Sequence, residues 1–189
     1  MAFVSRGGLK LRHALDVLAL SPRELRCADL GCSTGGFTDC LLQAGAARVH
    51  AVDTGFGVLA WKLRQDPRVV VHERRNALHL DPPEPVDLVV IDLGWTPQRL
   101  CIPAALRWLA PAGRVLSLIK PHYEDKPLAE QHRGILPDAL AESVALRVLD
   151  AMPALGVRVL AHTRSPIRGS AGSGEGRGNH EWLALLQPA

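Results

Sequence analysis

The chain has 189 residues, of which 47% are hydrophobic and 22% charged, and its formal net charge is +3. This length and composition allow a sizeable buried core and exclude disordered and collagen-like proteins. The mild positive charge permits a nucleic-acid partner without requiring one. The first residues form no long apolar segment, and no run approaches the roughly 20 apolar residues of a membrane span. We therefore expect a cytoplasmic protein without a secretory signal or membrane segment.

Strands alternate with helices along the chain. Aliphatic and β-branched runs predict strands at 25–30, 48–53, 68–73, 86–93, 115–119, 156–163 and 181–186. Helices are predicted near Lys10 and at 37–46, 58–66, 101–110 and 137–152. This alternation is typical of an α/β fold with a parallel sheet covered by helices on both faces. A Gly/Ser-rich stretch at 168–178 predicts a flexible loop between the last two strands. We expect one domain over residues 1–189.

Cysteines and histidines carry no recognisable site pattern. The cysteines form neither a disulfide framework nor a CxxC pair, and small buried apolar roles are expected for most of Cys27, Cys32, Cys40 and Cys101. The 8 histidines show no H-x-x-x-H or HExxH spacing. The sequence therefore predicts no metal site.

The first chemical signal is "DLGCSTGGFTDC" at residues 29–40, a glycine-rich turn between a strand and a helix. Ser33 takes the place of the middle glycine of a dinucleotide fingerprint, which disfavours pyrophosphate. Asp29 suits a cationic group, and Asp53 after the second strand suits ribose hydroxyls. Together they favour S-adenosylmethionine, the alternative being a tight turn without a ligand. The candidate cofactor-binding residues are Asp29, Gly31, Cys32, Ser33, Thr34, Gly35, Gly36, Phe37 and Asp53.

Six motifs carry a family resemblance: "VSRGGLKL", "DLGCSTGGFTDCLLQAGAARVHAVD", "LAWKLRQDPRVVVHERRNA", "VDLVVID", "LIKPHYE" and "GNHEWLALL". From Phe3 to Leu186 the chain resembles the TlyA-type rRNA methyltransferases of the FtsJ-like group of 2′-O-methyltransferases. The resemblance implies a Rossmann-like, seven-stranded class I methyltransferase fold with S-adenosylmethionine above the strand ends. It also implies a ribose 2′-hydroxyl of ribosomal RNA as the acceptor, and it puts Asn76 and Ala77 near the adenine.

The group's Lys-Asp-Lys-Glu catalytic set maps onto Lys10, Asp92, Lys120 and Glu181, and Asp92 also counts among the cofactor-binding residues. Lys120 is expected to be the base, which requires burial and a cationic neighbour to lower its pKa. Each residue also has an ordinary structural interpretation. Lys120 fits a snorkelling strand-end lysine, Asp92 a cap, and Lys10 and Glu181 solvated surface positions. Tyr123 and Glu124 stand beside Lys120 with no assigned role.

The expected RNA partner is ribosomal RNA or a ribosomal subunit. Basic residues near strand ends predict a phosphate-binding rim, with solvated surface arginines as the alternative; the candidates are Arg6, Arg12, Arg74, Arg75 and Arg168. Trp95 is the best candidate to stack on the target base, or else it is a core residue.

Two departures from the family pattern stand out. The chain starts where the family's methyltransferase domain starts, without the small RNA-binding domain that usually precedes it, and the loop at 168–178 is longer. Other acceptors therefore remain alternatives, namely other RNA, a small molecule or a protein. A non-catalytic binding protein of the same fold is a further alternative. Haemolysin names also occur in the family, but no amphipathic or membrane-spanning segment supports pore formation.

Overall fold

A computed structural model describes residues 2–169 and 178–189. Within these residues seven strands form one sheet in the order β3-β2-β1-β4-β5-β7-β6. In chain order the strands are β1 Arg26–Leu30, β2 Arg48–Val52, β3 Val69–His72, β4 Val86–Ile91, β5 Leu109–Ile119, β6 Val157–Arg164 and β7 Trp182–Pro188. The strand order reverses between β1 and β4. In open α/β sheets this reversal creates a crevice at the carboxyl ends of the strands, where ligands bind.

Helices precede β1 and lie between most successive strands, although the described residues between β3 and β4 contain none. They are α1 Gly7–Val17, α2 Gly36–Gln43, α3 Trp61–Arg64, α4 Gln98–Leu106, α5 Pro121–Glu124, α6 Lys126–Gln131 and α7 Asp138–Ala151. A short 3₁₀ helix, Met152–Leu155, leads from α7 into β6. The α/β class and the seven-stranded sheet predicted from the sequence are confirmed.

Two hydrophobic cores lie on the two faces of the sheet, as the continuous apolar strands predict. On one face the helices α1 and α2 bury Leu11 and Phe37 among residues of β1, β2 and β5. On the other face α4 and α7 pack Ile102 and Leu149 around Trp108, which is fully buried. Because both faces are covered, the strand ends are the part of the sheet left open to a ligand.

The parallel pairing expected from the strand–helix alternation does not extend to β7, which runs antiparallel to both β5 and β6. Residues 165–181 join β6 to β7, and the described part of this connection contains no helix. Consecutive strands that pair antiparallel, as β6 and β7 do, need no helical crossover between them. The flexible loop predicted at 168–178 falls largely outside the described residues.

Candidate active site

A cleft of about 630 Å³ opens over the strand ends at the reversal of strand order. Its walls come from the segments that follow β1, β2, β3, β4 and β5, with α1 and the start of β7 closing one end. Most of the predicted cofactor-binding residues line it: Gly31, Cys32, Ser33, Thr34, Gly36, Phe37, Asp53, Asn76, Ala77 and Asp92. The topology thus collects in one place residues up to 61 positions apart in the sequence.

The glycine-rich turn is held in shape by Asp53. One carboxylate oxygen accepts a hydrogen bond from the Ser33 backbone N–H at 2.8 Å, and the other accepts one from Gly55 at 2.7 Å. Gly31 has a φ of +93°, and a Cβ there would lie 2.6 Å from the Asp92 carbonyl oxygen. The turn therefore needs glycine at this position, because the β1 and β4 ends approach each other so closely. Carboxylate oxygens have further lone pairs, so Asp53 can still accept from a ribose.

Two predicted cofactor-binding residues do not line the cleft. Asp29 is fully buried; Thr38 donates to its Oδ2 at 2.6 Å, while Oδ1 has no partner among the described residues. Burial raises the pKa of Asp29 to about 7. Gly35 forms the N-cap of α2, with Leu59 and Leu63 packed against it. Both residues support the turn from beneath, because they belong to the strand and helix that it joins.

The Lys-Asp-Lys-Glu residues meet at one end of the cleft as two ion pairs. Lys120 directly follows β5 and pairs with Asp92, which directly follows β4. Lys10 on α1 pairs with Glu181 at 2.5 Å, and these two side chains are 11% and 3% exposed. The ordinary interpretations as solvated or snorkelling residues are therefore wrong, because all four side chains face one another in a largely buried site.

The charge state of Lys120 differs from the expectation. Burial lowers its pKa, but the attraction and hydrogen bond of Asp92, with a smaller contribution from Glu181, raise that pKa by more, so it lies above the ordinary lysine value. The expected lowering of the Lys120 pKa is therefore wrong, because the neighbouring carboxylates outweigh burial. At neutral pH Lys120 is an ammonium that donates to Asp92 and, at 3.1 Å, to the Leu93 carbonyl.

The segment 3–175 matches the FtsJ-like methyltransferase family. The chain belongs to this family. It is 41% identical over 92% of its length to the Mycobacterium tuberculosis (strain ATCC 25618 / H37Rv) protein named 16S/23S rRNA (cytidine-2′-O)-methyltransferase TlyA. It spans 66% of that relative, and 66% of a Bacillus subtilis (strain 168) relative to which it is 38% identical over 98% of its residues.

Solved structures show the same relationship for this FtsJ-like chain. A proposed hemolysin from Streptococcus thermophilus, 37% identical, superposes with a TM-score of 0.89 over 100% of this chain and 68% of that one. Methyltransferases with only 16% and 13% identity share the fold, with TM-scores of 0.69 and 0.67. The class I methyltransferase fold is thereby confirmed. Among the described helices, none has the length and hydropathy of a membrane span.

Three aromatic side chains of the FtsJ-like cleft lie beside Lys120. Trp95 is 75% exposed, which excludes the core interpretation, and its ring lies 5.0 Å from that of Tyr123 at an angle of 32°. His122 also lines the cleft, and its Nδ1 is buried without a partner among the described residues. Burial, with Lys120 and Lys10, lowers the pKa of His122 to about 4, so it is neutral at neutral pH. The sequence analysis missed His122 because a single histidine carries no spacing signal.

The predicted RNA-binding arginines have different surroundings. Arg6 and Arg75 line the cleft. Arg74 stacks on the exposed ring of Phe56 at 4.3 Å. Neither Arg74 nor the remaining two arginines line the cleft. Arg12 pairs with Asp16 at 2.5 Å, and Arg168 pairs with Asp138 at 3.0 Å. The structure therefore brings only part of the predicted set to the cleft, because helix α1 points Arg12 toward its own next turn.

No cluster of three or more His, Cys, Asp or Glu side chains suited to a metal occurs in the part of the chain that the structure describes. All four cysteines are free and buried, which agrees with their expected apolar role.

Proposed function

We propose that this FtsJ-like protein transfers a methyl group from S-adenosylmethionine to a ribose 2′-hydroxyl of ribosomal RNA in the cytoplasm. The observation that carries the proposal is the pairing of Lys120 with Asp92 and of Lys10 with Glu181 at the end of the glycine-lined cleft. The relatives named as rRNA methyltransferases support the choice of acceptor.

The cleft residues fit the proposed cofactor. Asp53 lines the cleft, where its carboxylate would accept hydrogen bonds from ribose hydroxyls, and the backbone of the turn at Gly31 borders the same space. Asn76 and Ala77 form the wall assigned to the adenine. When bound, S-adenosylmethionine would supply a methyl group on a positively charged sulfur, which becomes a neutral thioether once the hydroxyl oxygen has taken the methyl.

The residues of the two ion pairs then position the acceptor hydroxyl and accept its proton. Lys120, as an ammonium, is placed to donate a hydrogen bond to the 2′-oxygen and to hold it in line with the methyl group. The hydroxyl becomes strongly acidic as its oxygen forms the new bond. Its proton passes to the Asp92 carboxylate beside Lys120 and from there to water. Lys10 and Glu181 fix the opposite wall through their buried pair.

The acceptor side of the cleft offers a stacking surface and cations. Trp95 would stack on the target base, a role that its 75% exposure and its contact with the Tyr123 ring support. Arg75 at the cleft edge is placed to contact phosphate. Base stacking on an aromatic side chain contributes about 1 to 3 kcal/mol.

The experiment is methyl transfer from radiolabelled S-adenosylmethionine to isolated ribosomal subunits, followed by mass-spectrometric mapping of the modified nucleotide. We expect one 2′-O-methylated ribose, absent with the Asp92→Asn variant. Label on a base, on protein or on a small molecule would reject the ribose assignment. Cofactor binding without transfer to any acceptor would favour a non-catalytic binding protein.

A further inference from the structure

A buried hydrogen-bond network connects the two walls of the acceptor half of the cleft. One wall is the turn between β4 and α4, which carries Trp95; the other is α5, which carries Tyr123. Behind them, Glu124 at the end of α5 accepts a hydrogen bond from the backbone N–H of Gln98, the first residue of α4, at 2.9 Å. Neither Glu124 nor Gln98 lines the cleft, so the network acts from outside the ligand space.

Gln98 extends this connection to the strand below. Its side chain is 3% exposed, its Oε1 accepts from the Ser117 hydroxyl at 2.6 Å, and its Nε2 donates to the Leu118 carbonyl at 3.1 Å. Ser117 and Leu118 belong to β5, which ends one residue before Lys120. The start of α4 is therefore fixed to β5 through the Gln98 side chain and to α5 through its backbone.

The turn between β4 and α4 depends on these contacts, because Trp95 does not readily adopt the backbone conformation that it has there. Trp95 has a φ of +60°, a region rarely populated by residues other than glycine, and its side chain is 75% exposed. The preceding Gly94 has no non-neighbouring heavy atom within 4 Å of a Cβ built on it. Within the turn Thr96 Oγ1 donates a hydrogen bond to the Gly94 carbonyl at 2.8 Å. A strained backbone conformation persists only when the surrounding structure holds it, so the contacts behind the turn matter for its shape.

We propose that Glu124 is a positioning residue for RNA, which holds the Trp95 turn against α5 so that Trp95 and Tyr123 form one stacking surface for the acceptor nucleotide. The inference rests on the proposed function for its substrate, but the Gln98–Glu124 contact itself is present in the structure. Burial raises the pKa of the Glu124 carboxyl to about 7, so a substantial fraction is neutral at neutral pH. A neutral carboxamide is therefore a close substitute for it.

The test compares Glu124→Ala, Glu124→Gln and the control Glu130→Ala, which changes an exposed glutamate on the adjacent α6. We expect Glu124→Ala to raise the KM for ribosomal RNA by about 5- to 100-fold, the range of a lost stacking contact. Affinity for S-adenosylhomocysteine stays within about twofold. Glu124→Gln restores a KM near the wild-type value, because its amide oxygen still accepts from Gln98, and Glu130→Ala changes neither value.

Two further measurements separate positioning from a general structural role. The double variant Trp95→Ala with Glu124→Ala should have the KM of Trp95→Ala alone, because residues that act as one unit are not additive. Amide exchange at 93–98 in the RNA-free protein should be faster in Glu124→Ala than in wild type. Additive effects, equal losses of RNA and cofactor affinity, or exchange unchanged from wild type would overturn the inference. If wild type methylates no RNA but the exchange result holds, the proposed function fails while the positioning contact stands.

Discussion

Lys120 is the residue whose charge decides how the proposed transfer releases its proton. The carboxylates of Asp92 and Glu181 raise its pKa more than burial lowers it. A raised folded pKa means that the ion pair stabilises the fold below the unfolded lysine value of about 10.4 and loses this contribution only as pH rises through the folded value. Lys120 is therefore charged throughout the neutral range, as a hydrogen-bond donor requires.

We predict that the methyl-transfer rate with saturating RNA is flat between about pH 7 and about pH 9, because the ammonium is the active form throughout. Lys120→Ala should lower the single-turnover rate by about 10²- to 10³-fold, the weight of one donor aimed at a reacting oxygen. Cofactor affinity should stay near the wild-type value.

Two variants complete this comparison. Lys120→Arg should retain more activity than Lys120→Ala, because a guanidinium keeps the charge and the donors. Lys126→Ala is the control, since Lys126 is exposed and outside the cleft. A rate that rises about tenfold per pH unit, with an inactive arginine variant, would show instead that the neutral amine is the base.

Asp53 is the residue on which the shape of the glycine-rich turn depends. Asp53→Ala removes the acceptor of the Ser33 and Gly55 N–H groups as well as the proposed ribose contact. Hydrogen bonds to a charged group contribute about 1.5 to 3 kcal/mol each, so S-adenosylmethionine affinity should fall by about tenfold or more. Isothermal titration measures the affinity, with Asp81→Ala as a control because the Asp81 side chain is 95% exposed. Equal affinities for the Asp53 variant and wild type would exclude Asp53 as the ribose ligand.

At the residue scale, the sequence predicts which side chains lie together in the cleft but not the pKa values they have there. Lys10, Asp92, Lys120 and Glu181 could be predicted because family order alone identifies them. The direction of the Lys120 pKa shift depends on the distances to two carboxylates, which no sequence pattern contains. Arg12 is different, because its i,i+4 spacing to Asp16 on α1 is visible in the sequence and favours a local ion pair over a place in the cleft.

Among the elements, β1 and β4 depend on the close approach at Gly31. We predict that Gly31→Ala lowers the free energy of unfolding by about 1 to 3 kcal/mol from backbone strain alone, and by more where the new Cβ meets the Asp92 carbonyl. Gly134→Ala is the matched control, because Gly134 also has a positive φ, +83°, but nothing lies within 4 Å of its Cβ position. Urea unfolding measures both variants, and an equal loss would show that the Asp92 contact is unimportant.

Element boundaries were less predictable than element types. The helix expected at 58–66 is only one turn, Trp61–Arg64, because residues 54–60 form the loop beside the cleft instead. The helix expected at 101–110 begins earlier and ends at Leu106, and β5 starts at Leu109 despite Pro111 and Gly113. A register shift between Val86 and Leu88 accommodates this irregular start. Local propensity cannot anticipate such tertiary pairing.

At the scale of the whole molecule, the direction of β7 and the position of the cleft come from topology. Alternating strands and helices predicted the parallel part of the sheet, but they gave no signal for the direction in which β7 returns. Because β7 inserts between β5 and β6, Glu181 at its start reaches Lys10 and faces the Lys120 pair. The last strand of the chain, β7, thus completes a site to which the first helix, α1, also contributes.

The charge distribution around this cleft predicts how RNA methylation responds to salt. Phosphate contacts release counterions, so the apparent RNA affinity should fall linearly with salt on logarithmic axes, by about 0.7 to 0.9 in slope for each contact. Arg75→Ala should reduce that slope by about 0.7 to 0.9, the contribution of one phosphate contact, because Arg75 lines the cleft. Arg23→Ala should leave the slope unchanged, since Arg23 precedes β1 and lies toward the amino ends of the strands, opposite the cleft. The measurement is the KM for ribosomal RNA across a salt series. A flat response in wild type would contradict a phosphate-binding rim and would favour a small-molecule acceptor.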